Sequence, residues 1–156
     1  MGACAKTRTF GISSGEIGAL DCWIEAVGVR WGASARSVFG ARLCVAELAA
    51  NVLEHGIAKA DGGPDHITVT LDRCDDEIKI EFVDTRGPFD PTRQVAAAPA
   101  ANLESVDPRG RGLRLLQAYA RDLSYSRDGT RNRVTFRIVS DASVPVPKFA
   151  SSRSDL

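Results

Sequence analysis

The segment from Val38 to His55 constrains the chain more than any other. At about 3.6 residues per turn, Val38, Ala41, Val45, Leu48, Ala49, Val52 and Leu53 fall on one broad arc of a helical wheel. Phe39, Leu43, Ala46 and Ala50 widen that arc. Only a thin polar strip is left, made of Gly40, Glu47, Asn51 and Glu54. A surface helix carries a wide polar side, so a helix this apolar must be covered by other elements around most of its circumference. Glu47 and Asn51 are four residues apart and stack on one face. The strip is either the narrow solvent edge of a buried helix or a carboxylate and an amide facing a cavity. His55-Gly56 ends the helix, glycine being the usual residue there.

The flanking periodicities supply the cover. Ser13 with Glu16 three later makes a capping box, and Ile17, Leu20, Ile24, Val27 and Trp31 follow at helical spacing. That predicts a core-facing helix, broken at Gly32-Ala33-Ser34, with Ser34 capping the next one. Residues 6–12 predict a short edge strand. In 66–72 Ile67, Val69 and Leu71 alternate with Thr68 and Thr70; in 77–84 Ile78, Ile80 and Phe82 alternate with Lys79 and Glu81. With a turn at Cys74-Asp75-Asp76 these read as an antiparallel hairpin with one dry face. Leu113, Leu116, Ala120 and Leu123 predict a third helix. Residues 123–128 and 131–139, around Asp128-Gly129, predict a second hairpin with Val134, Phe136 and Ile138 inward and Arg133, Thr135 and Arg137 outward.

Every strand has one dry face and three helices carry apolar stripes. The expected fold is therefore α+β: a two-layer sandwich of a mostly antiparallel sheet covered on one face by three helices. Residues 6–139 form the expected domain, and 140–156 a flexible tail. Twenty basic and twenty acidic residues cancel, which argues against direct nucleic-acid binding. The start has no apolar signal core, Lys6 breaks the acylation pattern, and no run approaches a membrane span. A cytoplasmic protein with no membrane partner is expected. Cys4, Cys22, Cys44 and Cys74 have no CxxC spacing and read as small buried hydrophobes or idle thiols, and His55 and His66 make no metal-ligand spacing with them.

Two further stretches carry potential chemistry. Residues 84–91, DTRGPFDP, stop a strand abruptly; alone they make a stiff turn. Arg109-Gly110-Arg111-Gly112 leads into a helix, where free backbone N–H groups can meet an anion. Between them, residues 92–108 are rich in Ala and Pro, a long loop of the kind used as a lid. GxxxxGK[ST] and GxGxxG are both missing, so neither a P-loop nor a Rossmann site is indicated.

In this order the three pieces resemble the GHKL ATPases. Glu47-Leu-Ala-Ala-Asn51-Val-Leu-Glu-His55-Gly56, Val83-Asp84-Thr-Arg-Gly87-Pro-Phe-Asp-Pro91 and Gly110-Arg-Gly112-Leu-Arg-Leu-Leu resemble the small bacterial anti-sigma-factor serine/threonine kinases. The resemblance implies the histidine-kinase-like ATPase fold, with ATP and Mg²⁺. Asn51 would hold the metal through its amide, and Glu47 would be the base for the attacking hydroxyl. Asp84 would accept from the adenine amino group, and Gly87 would let the ring approach the backbone. Arg109, Gly110, Arg111 and Gly112 would hold phosphates, with 92–108 as the ATP lid. His55, Phe89, Leu113 and, in the position of a family threonine, Thr135 complete the implied nucleotide set. Arg86 either reaches a phosphate or is solvated.

The implied function is phosphorylation of an anti-anti-sigma (STAS-type) antagonist, with binding and inhibition of a sigma factor by a homodimer built through the first strand and helix. Three alternatives stand beside it: a nucleotide-regulated protein that binds its partner without phosphorylating it, a kinase module that activates another partner by binding, and an α+β domain with no nucleotide.

Overall fold

The computed structural model describes residues 5–59, 61–93 and 108–140, with backbone only at 108–111 and 113. The elements are β1 (Lys6–Gly11), α1 (Ser14–Arg30), α2 (Ala35–His55), β2 (His66–Cys74), β3 (Glu77–Asp84), α3 (Pro108–Tyr119), β4 (Ala120–Asp128) and β5 (Arg131–Val139). The expected lid falls mostly, and the tail almost wholly, on residues outside this description.

The five strands form one sheet in the order β1-β2-β3-β5-β4, and every neighbouring pair is antiparallel. The α+β sandwich expected from the alternation is what forms. Its inner face carries Ile67, Val69, Leu71, Ile78, Ile80, Phe82, Val134, Phe136 and Ile138, all nearly inaccessible. Against it lie Leu20 and Ile24 of α1, Ala41, Val45, Leu48 and Ala49 of α2, and Leu116 of α3. The outer face is polar and self-paired. Thr7 bonds Thr70 and Thr9 bonds Thr68 across the first strand pair, and Arg133 pairs with Glu81.

Local chemistry sets the element ends. Ser13 accepts from the Glu16 N–H and Ser34 from the Ser37 N–H, so both serines cap as expected. The Glu16 carboxylate reaches back to the Gly11 N–H, tying α1 to β1 rather than closing a reciprocal box on Ser13. Gly129 at φ 56 supplies the left-handed turn between β4 and β5.

Three expectations are corrected. Gly40 is not on the polar strip: it is buried, and a Cβ there would lie 3.0 Å from Tyr119 and 3.3 Å from Ile138. Gly56 ends α2 in extended backbone at φ −65, not in the left-handed form. The third helix starts at Pro108 and stops at Tyr119, so Ala120 and Leu123 belong to β4. An irregularity between Arg121 and Ser124, with Asp122 at φ 53, lets that strand leave the helix directly.

Candidate functional site

The packing of α2 leaves Glu47 and Asn51 half-buried and one turn apart, with Glu47 against α3. Burial raises the Glu47 pKa above the ordinary carboxylate range, and the charge of Glu54 adds to the shift. Gly112 of α3 sits directly against this carboxylate. A Cβ there would overlap Oε2 and stand 2.6 Å from Cδ of Glu47, so any larger residue would push the carboxylate out of this position. Cys44, one turn earlier, is buried, and its thiol is pushed up to about 12 by burial and by the Glu47 charge. It stays protonated and inert, as a structural cysteine does. The Asn51 Nδ2 atom is buried with no partner. A buried donor without an acceptor is costly in a folded interior, so this amide suits an acceptor brought by a ligand.

The second half of the site is the end of β3. Asp84 is 4% exposed. Its Oδ1 accepts from the Arg86 N–H at 2.9 Å and from Asn132 Nδ2 at 3.0 Å; Oδ2 takes neither bond. Burial pushes the Asp84 pKa up, while the bonds from Asn132 and the Arg86 amide and the charges of Arg127 and Arg86 pull it down. One oxygen is thus anchored and the other is left as an acceptor. Asn132, 2% exposed and paired with Asp84 across the strands, was missed in the motif reading. Its Nδ2 also donates to the carbonyls of Arg86 and Gly87, while its Oδ1 accepts from Tyr125 and Arg127. The signal was present: Asn132 shares the inward parity of Val134, Phe136 and Ile138.

Thr135 is not part of this group. Odd parity puts it on the outer face, where its hydroxyl bonds Ser124 at 2.6 Å. It lines a groove of about 360 Å³ that contains none of the other motif residues. The position beside Asp84 belongs to Asn132. Gly87 stays with Asp84 and lines a cavity of about 350 Å³ with Lys59, Thr85, Arg86 and Arg127. A Cβ on Gly87 would lie 3.0 Å from Ile57. The Phe89 ring stacks on His55 at 6.5 Å between centroids, packing the DTRGPFDP segment against the end of α2. Arg86 is not a solvated side chain: its guanidinium bonds carbonyls at the end of α2 and Asp65. The backbone of Arg109, Gly110, Arg111 and Leu113 lies in α3, and their side chains are outside the description.

No group of three or more His, Cys, Asp or Glu that could hold a metal occurs among the described residues. The site suits a cation that takes most of its ligands from phosphates and water. Mg²⁺ behaves so, and one protein amide is a sufficient anchor beside a nucleotide. The Asn51 carboxamide has an oxygen, Oδ1, of the kind Mg²⁺ takes, and its partnerless Nδ2 is a donor suited to a phosphate oxygen; with the open oxygen of Asp84 these fit a metal–nucleotide pair.

A half-sandwich with such a helix, an aspartate closing a strand and a glycine helix on the carboxylate defines a nucleotide-binding class. Residues 16–138 match the family described as the histidine kinase-like ATPase domain, and the chain belongs to that family. This agrees with the GHKL recognition drawn from the three motifs. The chain is 32% identical over 133 residues to the serine/threonine-protein kinase BtrW of Bordetella bronchiseptica, a match covering 84% of this chain and 92% of that protein. Among solved structures it resembles a chain of the SiaB-SiaC complex from Pseudomonas aeruginosa. The TM-score is 0.56 at 16% identity, over 88% of this chain and 90% of that one, a likeness of fold. No described helix is long and apolar enough to cross a membrane.

Proposed function

We propose that the chain is an ATP- and Mg²⁺-dependent protein serine/threonine kinase that phosphorylates an anti-anti-sigma (STAS-type) antagonist and binds and inhibits a sigma factor. The carrying observation is the pairing, one turn apart on α2, of Glu47, with its raised pKa and Gly112 against its carboxylate, and the half-buried Asn51 carboxamide. Kinship with a serine/threonine-protein kinase supports the reaction class.

In this reading Asp84 accepts from the adenine amino group through the oxygen that Asn132 and Arg86 leave free. Asn51 holds Mg²⁺, which when bound neutralises phosphate charge. The backbone amides around Gly110, Arg111 and Gly112 meet the phosphates at the start of α3. Glu47 takes the proton of the attacking hydroxyl as that oxygen bonds the γ-phosphorus and the bond to ADP breaks. A carboxylate whose pKa is raised is a stronger base than an ordinary one. Phosphoryl transfer otherwise needs positioning and charge neutralisation, which Asn51 and the α3 amides supply. Homodimerisation through β1 and α1, and action in the cytoplasm, belong to the same proposal.

The test is Glu47→Gln with labelled ATP and the antagonist. The variant is expected to bind Mg-ATP as the parent does and to lose transfer. Transfer at an unchanged rate removes Glu47 as the base. A parent that holds its partner but never labels it makes the chain a nucleotide-regulated binder instead.

A further inference from the structure

Arg86 joins three parts of the site through three separate groups. Its backbone N–H donates to Asp84 Oδ1 at 2.9 Å. Its carbonyl accepts from Asn132 Nδ2 and from Arg127, both at 3.2 Å, which fastens it to β4 and β5. Its guanidinium crosses to α2 and donates to the carbonyls of Val52 at 2.9 Å and Gly56 at 3.2 Å, with Leu53 at 3.5 Å. These carbonyls lie at the end of α2, that of Val52 also accepting from the Gly56 N–H at 3.0 Å, and a cation there meets the negative end of the helix dipole.

The contact is built. The Arg86 side chain is 17% exposed, and its Nε meets Asp65 Oδ2 at 3.3 Å, on a carboxylate that is itself 10% exposed. Asp65 is fixed in turn by Thr85, whose hydroxyl also accepts from the His66 N–H. Gly56 is what makes room: a Cβ there would overlap Cδ of Arg86 and stand 3.3 Å from its Cβ. An arginine fork suits this place because a single planar group can bond carbonyls and a carboxylate together, which an ammonium cannot match.

Val52 follows Asn51 directly, so the carbonyl that Arg86 grips belongs to the turn carrying the orphaned amide. We infer that Arg86 is a positioning residue that sets the orientation of the base-reading Asp84 against the Asn51 turn of α2. Base recognition and metal holding are thereby coupled through one residue, whose backbone holds Asp84 and whose side chain holds the end of α2. The inference rests on the nucleotide reading of the site proposed above.

The experiment compares Mg-ATP with Mg-ITP, which carries an oxygen in place of the adenine amino group, by titration calorimetry on the full chain. The parent is expected to prefer ATP strongly, as a site built around a hydrogen bond does. Arg86→Met is expected to lower that preference by about tenfold or more, because a small misplacement of a positioned group costs on that scale. A merely structural role lowers the melting temperature but leaves the preference of the folded molecules unchanged. If Arg86→Met does not fold, Arg86→Lys serves with the same readout, since it keeps the cation and loses the fork. A parent with no preference for ATP overturns the nucleotide reading itself. A parent with a preference that the folded Arg86 variant retains overturns only the positioning role.

Discussion

Replacing Gly112 by alanine separates the stability of this fold from its chemistry. The new Cβ would overlap Glu47 Oε2, with Cδ at 2.6 Å and Cγ at 3.2 Å. Ordinary contact begins at 3.4 Å, so Cδ has to retreat by about 0.8 Å and the carboxylate must swing further. Two energies oppose each other. Alanine in place of glycine inside a helix gains about 0.8–1 kcal/mol of propensity. Holding Glu47 away from its preferred rotamer costs about 0.5–1.5 kcal/mol. The net is close to zero, so the melting temperature is expected to stay within a few degrees. The backbone N–H of residue 112 survives the change, so Mg-ATP affinity is expected to hold. Transfer is not: a base misplaced by about 1 Å costs on the order of a hundredfold. Single-turnover transfer from γ-labelled ATP, with calorimetry for binding and a thermal melt, reads all three. Transfer within twofold of the parent in a folded, ATP-binding Gly112→Ala protein refutes the placing of Glu47 by α3.

Other outcomes follow from the same contacts. The folded pKa of Glu47 is raised, so the native state holds its proton more tightly and stability is lost as pH climbs from the ordinary glutamate range through the raised value. Glu47→Gln is therefore expected to be more stable than the parent above that window and no more stable below it; urea melts across pH check this, and equal curves would discard the burial argument. Asn132→Leu removes a bond that lowers the Asp84 pKa, so the acid limit of nucleotide binding is expected to move to higher pH; an unmoved limit means Asp84 does not bind as a carboxylate. Gly40→Leu inserts a side chain between Tyr119 and Ile138 and is expected to cost about 1–3 kcal/mol in denaturant unfolding; no loss would show that α2 and α3 can part there.

The sequence carried the helix and strand pattern because each element is amphipathic on its own. Val45 and Leu48 on a wheel, or Ile78 and Ile80 on a pleat, report a dry face without knowing what lies across it. What failed needed knowledge of a neighbour. Gly40 has no side chain to declare its side, and only Tyr119 from a distant helix shows that it is covered. Leu113, Leu116, Ala120 and Leu123 keep helical spacing, so nothing local announces that the chain becomes a strand at Ala120. Strand pairing with β5 overrides the stripe. Arg86 is charged and lies in a turn, the usual marks of a solvated residue, yet the carbonyls it caps come from residues about thirty positions earlier. At the site, Glu47, Asn51, Asp84 and Gly112 were readable through their motifs. Asn132 belongs to no motif, and its role exists only across the β3–β5 pairing.

That pairing also sets the order of assembly. β5 is the last of the described strands to be made, yet it lies inside the sheet, between β3 and β4. On a ribosome working at roughly 5–20 residues per second, the 55 residues that follow Asp84, up to Val139, take roughly 3–11 s to appear. Through that interval β3 shows a bare row of amides and carbonyls, and Asp84 lacks the amide that anchors it. The nascent chain therefore passes through a stage at which its hairpin can stick to another strand but its nucleotide corner is still unmade. Insertion of the last strand ends both conditions at once.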